Sequence, residues 1–407
     1  MIYLLYIFIL FILFFLLFYF YFKKNNSQSS IKHLYLEALD MLLSGKKNSA
    51  YKNFKEVVTL DSDNIKAYIY IGQILRENNN AKKALSIHKN LLLRSNKTAY
   101  ETIQIYKNLS LDYYEFGNVE KSILYCKKIL DLNKINDWAI KFLIQLYKKS
   151  NDWDNAIKYL KDYFSIIGKY DNNKLALYKI QLARFSILHN DFESARSLLE
   201  RALDLDNELF IVYYFLGNTF AAESNFIFNK SISKDNDNNS LSIENDKNAN
   251  RLEAEKILTK AVPMWVHFIE NMPQYSWMIL PTLKDALQAL NRYEDIEKYL
   301  IQINMKKTND VDILSHLADF YANKGQVEQA LDTINQALDY NDKSLLAQLK
   351  KIKIISLKKN EKELSVNIDT IISSLLKDSR YKKYKQSYND KNMVWLFETN
   401  MVYDNEK

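Results

Sequence analysis

The chain has 407 residues, a formal net charge of +7, six glycines and three prolines. So few helix-breaking residues favour long helices, and the absence of a dense basic block argues against a nucleic-acid-binding protein. The single cysteine, Cys126, excludes an intramolecular disulfide framework and any cysteine-rich metal site. Because it falls at an apolar helical position, we expect it to be a small buried hydrophobic residue.

The first predicted element is a membrane anchor. Residues 2–22 are apolar or aromatic throughout, and Lys23 and Lys24 follow at once; this length crosses a bilayer core as a helix. The segment lacks the basic start, shorter apolar core and small-residue cleavage site of a cleaved signal peptide. We therefore predict an uncleaved anchor over residues 1–24, joined by a linker over 25–30. Its flanking charges lie on the C-terminal side, which predicts a cytoplasmic body.

A spaced pattern of small and apolar residues then recurs about every 34 positions. Gly72 and Ala84 are 12 positions apart, and so are Ala318 and Ala330. Small residues at these places let two helices approach closely, while large apolar residues fill the gaps between successive pairs. The pattern predicts a tetratricopeptide array over residues 31–378. The predicted fold class is all-α: a transmembrane helix, a right-handed tetratricopeptide-repeat solenoid and a small C-terminal appendage.

Each repeat is expected to contain a helix A, a tight turn and a helix B. The predicted turn residues all tolerate a left-handed backbone: they are Gly45, Asn79, Gly117, Asn151, Asn190, Asn291 and Gly325. The sixth repeat is split, because its helix A contains Gly217 but its matching helix-B alanine, Ala254, arrives 25 residues late. The polar stretch between them is predicted to be a disordered surface loop over residues 225–250, with a binding role as the alternative.

The order of anchor, repeats and short tail is similar to that of the lipopolysaccharide assembly protein B family. Residues 70–92, 111–130 and the NDWDNA phrase at 151–156 resemble that family's second, third and fourth repeats. The resemblance implies an inner-membrane adaptor that presents the lipid A-committing deacetylase to a membrane AAA protease and so limits lipopolysaccharide synthesis. The alternative is a generic membrane-tethered tetratricopeptide scaffold for another envelope or secretion assembly.

The tail departs from that family. Its members end in a metal-held, rubredoxin-like ribbon with four cysteines, and residues 379–407 keep the aromatic frame through Tyr388 and Trp395. The four cysteine positions carry other residues here: Lys383, Gln386, Phe397 and Asn400. Structural zinc needs four nitrogen or sulfur ligands. We therefore predict a degenerate ribbon without metal or another cofactor; an ordinary aromatic cap is the alternative.

Recurring helix-A positions are expected to line a groove that binds other proteins. The candidates in the earlier repeats are Arg76, Lys107, Tyr114, Trp138, Lys141, Gln145, Lys148, Arg184 and Tyr214. Later repeats add Asp285, Asp312 and Asp319, which predicts a groove that is basic near the membrane and acidic further on. Ordinary solvated helix faces explain the charges equally well. Tyr114 and Trp138 are the preferred anchors, because exposed aromatic side chains on such surfaces bind partners.

No residue pattern indicates catalysis. The five histidines are scattered, and His88 falls at a core position of a helix B, where packing explains it. The sequence has no glycine-rich phosphate loop, no HExxH pair and no nucleophile elbow. It therefore predicts a non-enzymatic protein whose partners are other proteins and the inner membrane, and not nucleic acid.

Overall fold

The computed structural model describes residues 29–233, 241–306, 310–342 and 344–358, together with residues 368, 369 and 372. Every regular element in this part of the chain is helical, and it contains no strand. The prediction of an all-α fold is confirmed for these residues. They belong to two compact units, Met1–Lys169 and Tyr170–Lys407.

Two predicted segments fall outside the described residues. They are the anchor over residues 1–24 and the tail over 379–407, which includes Lys383, Gln386, Phe397 and Asn400. Among the described residues, no helix is both long enough and apolar enough to cross a membrane. The anchor, its orientation and the degenerate ribbon therefore stay predictions.

Residues 29–169, the described part of the first unit, form four helix hairpins, in which odd-numbered helices are helix A and even-numbered helices are helix B. In chain order the helices are α1 (residues 29–43), α2 (Lys47–Leu60), α3 (Ile65–Glu77), α4 (Ala81–Leu92), α5 (Ala99–Glu115), α6 (Val119–Leu132), α7 (Asp137–Lys149) and α8 (Trp153–Ile167). The A helices begin at residues 29, 65, 99 and 137, close to the predicted spacing of about 34 positions. Small helix-B residues are fully buried, as their role in close packing requires: Ala50, Ala84, Ser122 and Ala156.

The second unit continues the alternation of helices. Its elements are α9 (Asn172–Leu188), α10 (Phe192–Leu205), α11 (Ile211–Ser233), α12 (Leu241–Asn271), a 3₁₀ helix (Pro273–Met278), α13 (Leu280–Ala289), α14 (Asp295–Lys306), α15 (Val311–Asn323), α16 (Val327–Tyr340) and α17 (Leu345–Lys358). This unit has a core of buried aliphatic and aromatic side chains, which includes the fully buried Trp265 and Phe268.

Local sequence determines where these helices begin and end. All seven predicted turn residues have positive φ, for example 59° at Asn79 and 80° at Gly325. Asparagine side chains cap helix N-termini: Oδ1 of Asn64 accepts from the amide of Ala67, 3.1 Å away, at the start of α3. Such caps satisfy amides that have no partner within the helix. Gly168, which ends α8 with φ 66°, is a left-handed residue that the repeat pattern did not predict.

The insert in the sixth repeat is helical where the structure describes it. α11 continues through Ser233 and α12 already begins at Leu241, so the predicted disordered loop over residues 225–250 is wrong at both of its ends. Oγ of Ser224 donates to the carbonyl oxygen of Ala254 at 2.7 Å and joins the two helices there. The side chains that the structure describes in the insert, at residues 225–230 and 248–250, are exposed or half-buried. A polar stretch does not exclude a helix, because polar residues also occupy the outer faces of long helices.

The insert also changes the register of this repeat. The indole of Trp265 occupies the space that a side chain on Gly217 would need, as the imidazole of His88 does for Gly72. Ala84 lies four residues before His88, and Ala261, fully buried, lies four residues before Trp265. The helix-B position assigned to Ala254 is therefore taken by Ala261.

Candidate functional site

Aromatic and basic side chains meet on two A helices of the first unit, α5 and α7. We call this the Trp138 surface and define it by Lys107 and Tyr114 on α5 and Trp138, Phe142 and Lys149 on α7. The three α7 residues share one helix face, because they follow the i, i+4 and i+11 spacing. Phe142 stacks on Trp138 with ring centroids 5.0 Å apart and meets Tyr114 edge-on at 5.6 Å.

Two ammonium groups cover these rings. Nζ of Lys107 lies 4.8 Å from the centroid of the Trp138 ring, and Nζ of Lys149 lies 4.0 Å from that of Tyr114. The three aromatic side chains are half-buried, and Gln145, on the same face of α7, is exposed. The surface thus combines accessible aromatic area with positive charge, which is the composition of a protein-binding site rather than of a reaction centre.

The rest of α7 holds this face in position. Oδ1 of Asn136 caps the helix by accepting from the amide of Ala139 at 3.0 Å. On the opposite face, Leu143 and Leu146 are fully buried. An apolar stripe on one side and the Trp138 surface on the other make α7 an amphipathic helix whose outer face is fixed by core packing.

Arg76 is occupied within the fold, which corrects its prediction as a groove residue. Its Nη1 donates to Oδ1 of the fully buried Asp112 at 2.7 Å and to Oδ1 of Asn108 at 3.1 Å. Nδ1 of the buried His88 donates to the other carboxylate oxygen of Asp112. Since Asp112 lies on α5, Arg76 on α3 and His88 on α4, this cluster joins two successive repeats. The Arg76 guanidinium is not available to a partner's carboxylate.

Lys141 follows Trp138 by three residues, but its ammonium group contacts residues outside the Trp138 surface. Its Nζ is 3.1 Å from Oδ2 of Asp137 and 5.4 Å from the centroid of the Tyr163 ring on α8. The hydrogen bond that Lys141 donates to the Asp137 carboxylate raises the pKa of Lys141. Lys148 is half-buried next to Lys149. Of the predicted candidates, Lys107, Tyr114, Trp138 and Gln145 are therefore brought together, and Lys141 is not.

Two predicted residues belong to the second unit. Nη1 of Arg184, on α9, donates to Oε1 of the buried Gln181 at 2.6 Å. Tyr214, on α11, is 5 % exposed, and its ring centroid lies 5.7 Å from that of Phe268 in the core. The prediction that Tyr214 lines a groove is wrong, because the packing of α11 against α12 buries this position.

The acidic positions predicted in the later repeats do not form an exposed acidic surface. Asp319 is buried, and Lys284, Lys350 and Lys353 approach its carboxylate at 3.3, 2.7 and 2.9 Å. Burial alone would raise the pKa of Asp319, but the three ammonium groups outweigh burial and lower it. Asp285 is exposed. The prediction of an acidic half is therefore wrong for Asp319, which is compensated within the fold.

Sequence reasoning missed Phe142, although its spacing of four residues after Trp138 was the available signal. The expectation for Cys126 is confirmed: it is fully buried, 3.0 Å from Oγ of Ser110, and burial raises the pKa of its thiol to about 12. In the part of the chain that the structure describes, no three His, Cys, Asp or Glu side chains are placed to hold a metal ion.

Comparison with curated proteins gives one group of relatives. The sequence is 19 % identical over 203 residues to lipopolysaccharide assembly protein B of Escherichia coli strain K12, covering 50 % of this chain and 52 % of that protein. The protein of the same name from E. coli O157:H7 matches to the same extent. This chain therefore spans about half the length of the curated relatives it matches. No family model matches the sequence.

Solved structures with some likeness are repeat proteins. A tetratricopeptide repeat protein from Parabacteroides merdae is 14 % identical, with 71 % of this chain and 98 % of that chain covered and a TM-score of 0.34. The C-terminal part of a repeat protein from Cytophaga hutchinsonii is 11 % identical, with 78 % and 98 % covered and a TM-score of 0.37. The repeats of this chain are evident from its alternating helices and left-handed turns.

Stacked helix hairpins provide extended surfaces for binding other proteins. The helix hairpins of this chain offer surfaces of this kind, and the Trp138 surface is one of them.

Proposed function

We propose that this protein is a membrane-tethered scaffold that holds a segment of a partner protein on the Trp138 surface. The observation that carries the proposal is the cluster of Tyr114, Trp138 and Phe142, with Lys107 and Lys149 above its rings. Tryptophan and tyrosine dominate binding energy at protein interfaces, while charges at the rim select and orient the partner. The favoured ligand is a segment with an apolar anchor flanked by aspartate or glutamate.

The similarity to lipopolysaccharide assembly protein B supports a more specific role. In this role, residues 1–24 anchor the chain in the inner membrane with the repeats on the cytoplasmic side. The repeats bind the deacetylase that commits precursor to lipid A and bring it to a membrane AAA protease. Holding both proteins together raises the effective concentration of the client beside the protease, so the chain itself performs no covalent step.

A scaffold for another envelope or secretion assembly is the second candidate. It is favoured because the family's four cysteines are replaced here by Lys383, Gln386, Phe397 and Asn400. Without thiolates, the tail cannot form the metal site that holds the family's ribbon together. In this case the Trp138 surface binds a different client and lipid A synthesis is unaffected.

The scaffold proposal is tested by photo-crosslinking in native membranes. A photoreactive residue replaces Gln145, which is exposed beside the Trp138 surface on the same face of α7, or Lys161, which is exposed on helix B of the same hairpin. We expect one defined protein adduct from position 145 and none from position 161. Equal adducts from both positions, or none from either, would contradict the proposal.

The adaptor role is tested by the half-life of the deacetylase in cells of the source organism. We expect its half-life to lengthen when the gene for this chain is deleted and to stay long when the Trp138→Ala variant is supplied instead. A half-life that the deletion leaves unchanged rejects the adaptor role and favours the second candidate. The crosslinking result does not depend on this outcome.

A further inference from the structure

One edge of the first unit carries a row of exposed aliphatic side chains. The two helices of each hairpin run antiparallel, so the C-terminus of every helix B and the N-terminus of the next helix A lie at the same edge. All four hairpins expose at least one large aliphatic residue there, with between 37 % and 84 % of its surface accessible. We call this the aliphatic edge and define it as Leu60, Leu93, Leu132, Ile135, Ile166 and Ile167.

The opposite edge of the first unit, formed by the turns between helix A and helix B, differs. Its exposed large hydrophobic residues are Leu43 and Phe116, which come from two of the four turns, while the other two turns expose polar residues. A single exposed leucine needs no explanation. Here exposed aliphatic side chains recur at the same end of four successive hairpins, and exposed apolar surface that is grouped in this way marks contact with another phase or molecule.

Charge does not distinguish the aliphatic edge, because exposed residues of both signs lie beside it. Asp63 and Lys66 follow Leu60, Lys134 precedes Ile135, and Lys169 follows Ile167. An edge selected for a strongly acidic or basic partner would carry one sign. The row of aliphatic side chains is therefore the feature that indicates what this edge contacts.

The path of the chain indicates which surface the aliphatic edge contacts. α1 begins at residue 29, and its N-terminus lies at the aliphatic edge because α2, its antiparallel partner, ends there. Residues 23–28 connect this point to the apolar segment over residues 2–22. Six residues span at most about 20 Å even when fully extended. A bilayer that holds the apolar segment thus lies within that reach of the start of α1.

We propose that the aliphatic edge rests on the membrane surface, with its leucine and isoleucine side chains in the headgroup region. This inference rests on the proposed membrane anchor. Apolar side chains gain free energy by entering the interface, and the short linker keeps them close to it. Trp138, in the first turn of α7, then lies near the bilayer and is presented to a partner held at the same membrane.

The test places an environment-sensitive fluorophore on single introduced cysteines in the full chain, reconstituted in phospholipid vesicles. The labelled variants are Leu93→Cys and Ile135→Cys at the aliphatic edge and Leu43→Cys at the opposite edge. Leu43 is a matched control, since it is 88 % exposed and Leu93 is 84 % exposed. The native Cys126 is fully buried, so the introduced thiols are the accessible ones.

We expect the labels at positions 93 and 135 to emit at shorter wavelength in vesicles and to be quenched by lipids carrying a nitroxide. The label at position 43 should show neither effect. If all three labels remain in water while the chain floats with the vesicles, the edge proposal is overturned and the anchor proposal stands. A chain that does not float with the vesicles overturns both.

Discussion

The imidazole of His88 occupies the space that a side chain at Gly72 would need. An ideal Cβ on Gly72 would lie less than 3.0 Å from two atoms of that ring. Moving the ring aside would cost free energy, because it is hydrogen-bonded to Asp112 and its Nε2 lies 3.2 Å from the carbonyl oxygen of Ile69. Helix A and helix B of the second repeat therefore approach as closely as a glycine allows.

The first prediction is that Gly72→Ala destabilises the first unit. Alanine stabilises a helix by about 1 kcal/mol relative to glycine. Against this, overpacking at Gly72 costs about 1–3 kcal/mol. Displacing His88 breaks a buried hydrogen bond, which costs a further ~1–3 kcal/mol. We expect a net loss of about 1–5 kcal/mol in the free energy of unfolding. Hydrogen exchange in peptides from α3 and α4 measures the stability of the first unit separately from that of the second.

The matched control is the same change in a His88→Ala background. Without the ring, the added methyl meets open space and helix propensity alone remains, so Gly72→Ala should become neutral or stabilising by up to about 1 kcal/mol. Equal destabilisation in both backgrounds would mean that the ring is not the obstacle.

The second prediction concerns Asp112. Asp112→Asn removes the charge that Arg76 and His88 share, and leaving a buried charged partner uncompensated costs about 3–5 kcal/mol. Asp137→Asn is the control, because the Asp137–Lys141 pair is solvent-exposed and such pairs contribute about 0–1 kcal/mol. Hydrogen exchange in α3 and α5 should increase strongly in the first variant only. Similar exchange in the two variants would show that the buried cluster does not hold the repeats together.

The third prediction is a pH dependence in the second unit. The lysines around Asp319 lower its pKa in the folded protein, so its stabilising contribution is complete above the unfolded value of about 3.9 and is lost as pH falls through the lower, folded value. α15 and α17 should therefore loosen in acid. In Asp319→Asn this part of the acid dependence should disappear, with a loss of about 3–5 kcal/mol at neutral pH.

Lys284→Met is the matched variant for this cluster. Lys284 is one-third exposed, whereas Lys350 and Lys353 are buried, and two ammonium groups remain beside Asp319 without it. We expect a smaller destabilisation and a retained acid dependence, measured by hydrogen exchange in α15 and α17 between neutral and acidic pH. If the acid dependence remained in Asp319→Asn, other carboxylates would be responsible for it.

Features set by neighbouring residues could be predicted from the sequence. The left-handed turns follow from glycine and asparagine between two apolar helices, and the burial of Ala84, His88 and Cys126 follows from the repeat period. Trp138 and Tyr114 stand out because large aromatic residues occupy outward-facing helix-A positions. These properties need no knowledge of which repeats touch.

Properties that depend on pairing across repeats could not be predicted. Arg76 and Asp112 are 36 residues apart, so the sequence pattern gives no reason to pair them, and Arg76 reads as a solvent-facing cation. The same applies to Asp319 and its lysines. In the sixth repeat, the polar composition of residues 225–250 argues against burial but does not exclude a helix. The insert lengthens the hairpin, so that Trp265 takes the position opposite Gly217.

The most direct test of the scaffold account is the effect of Trp138→Ala on the adduct formed by a photoreactive residue at position 145. Truncating an interface tryptophan costs about 2 kcal/mol or more, and each 1.4 kcal/mol is about tenfold in affinity. At partner concentrations below saturation, the account predicts an adduct yield at least about tenfold lower, with unchanged hydrogen exchange in α5 and α8. An unchanged yield from a folded variant would contradict the role of the Trp138 surface.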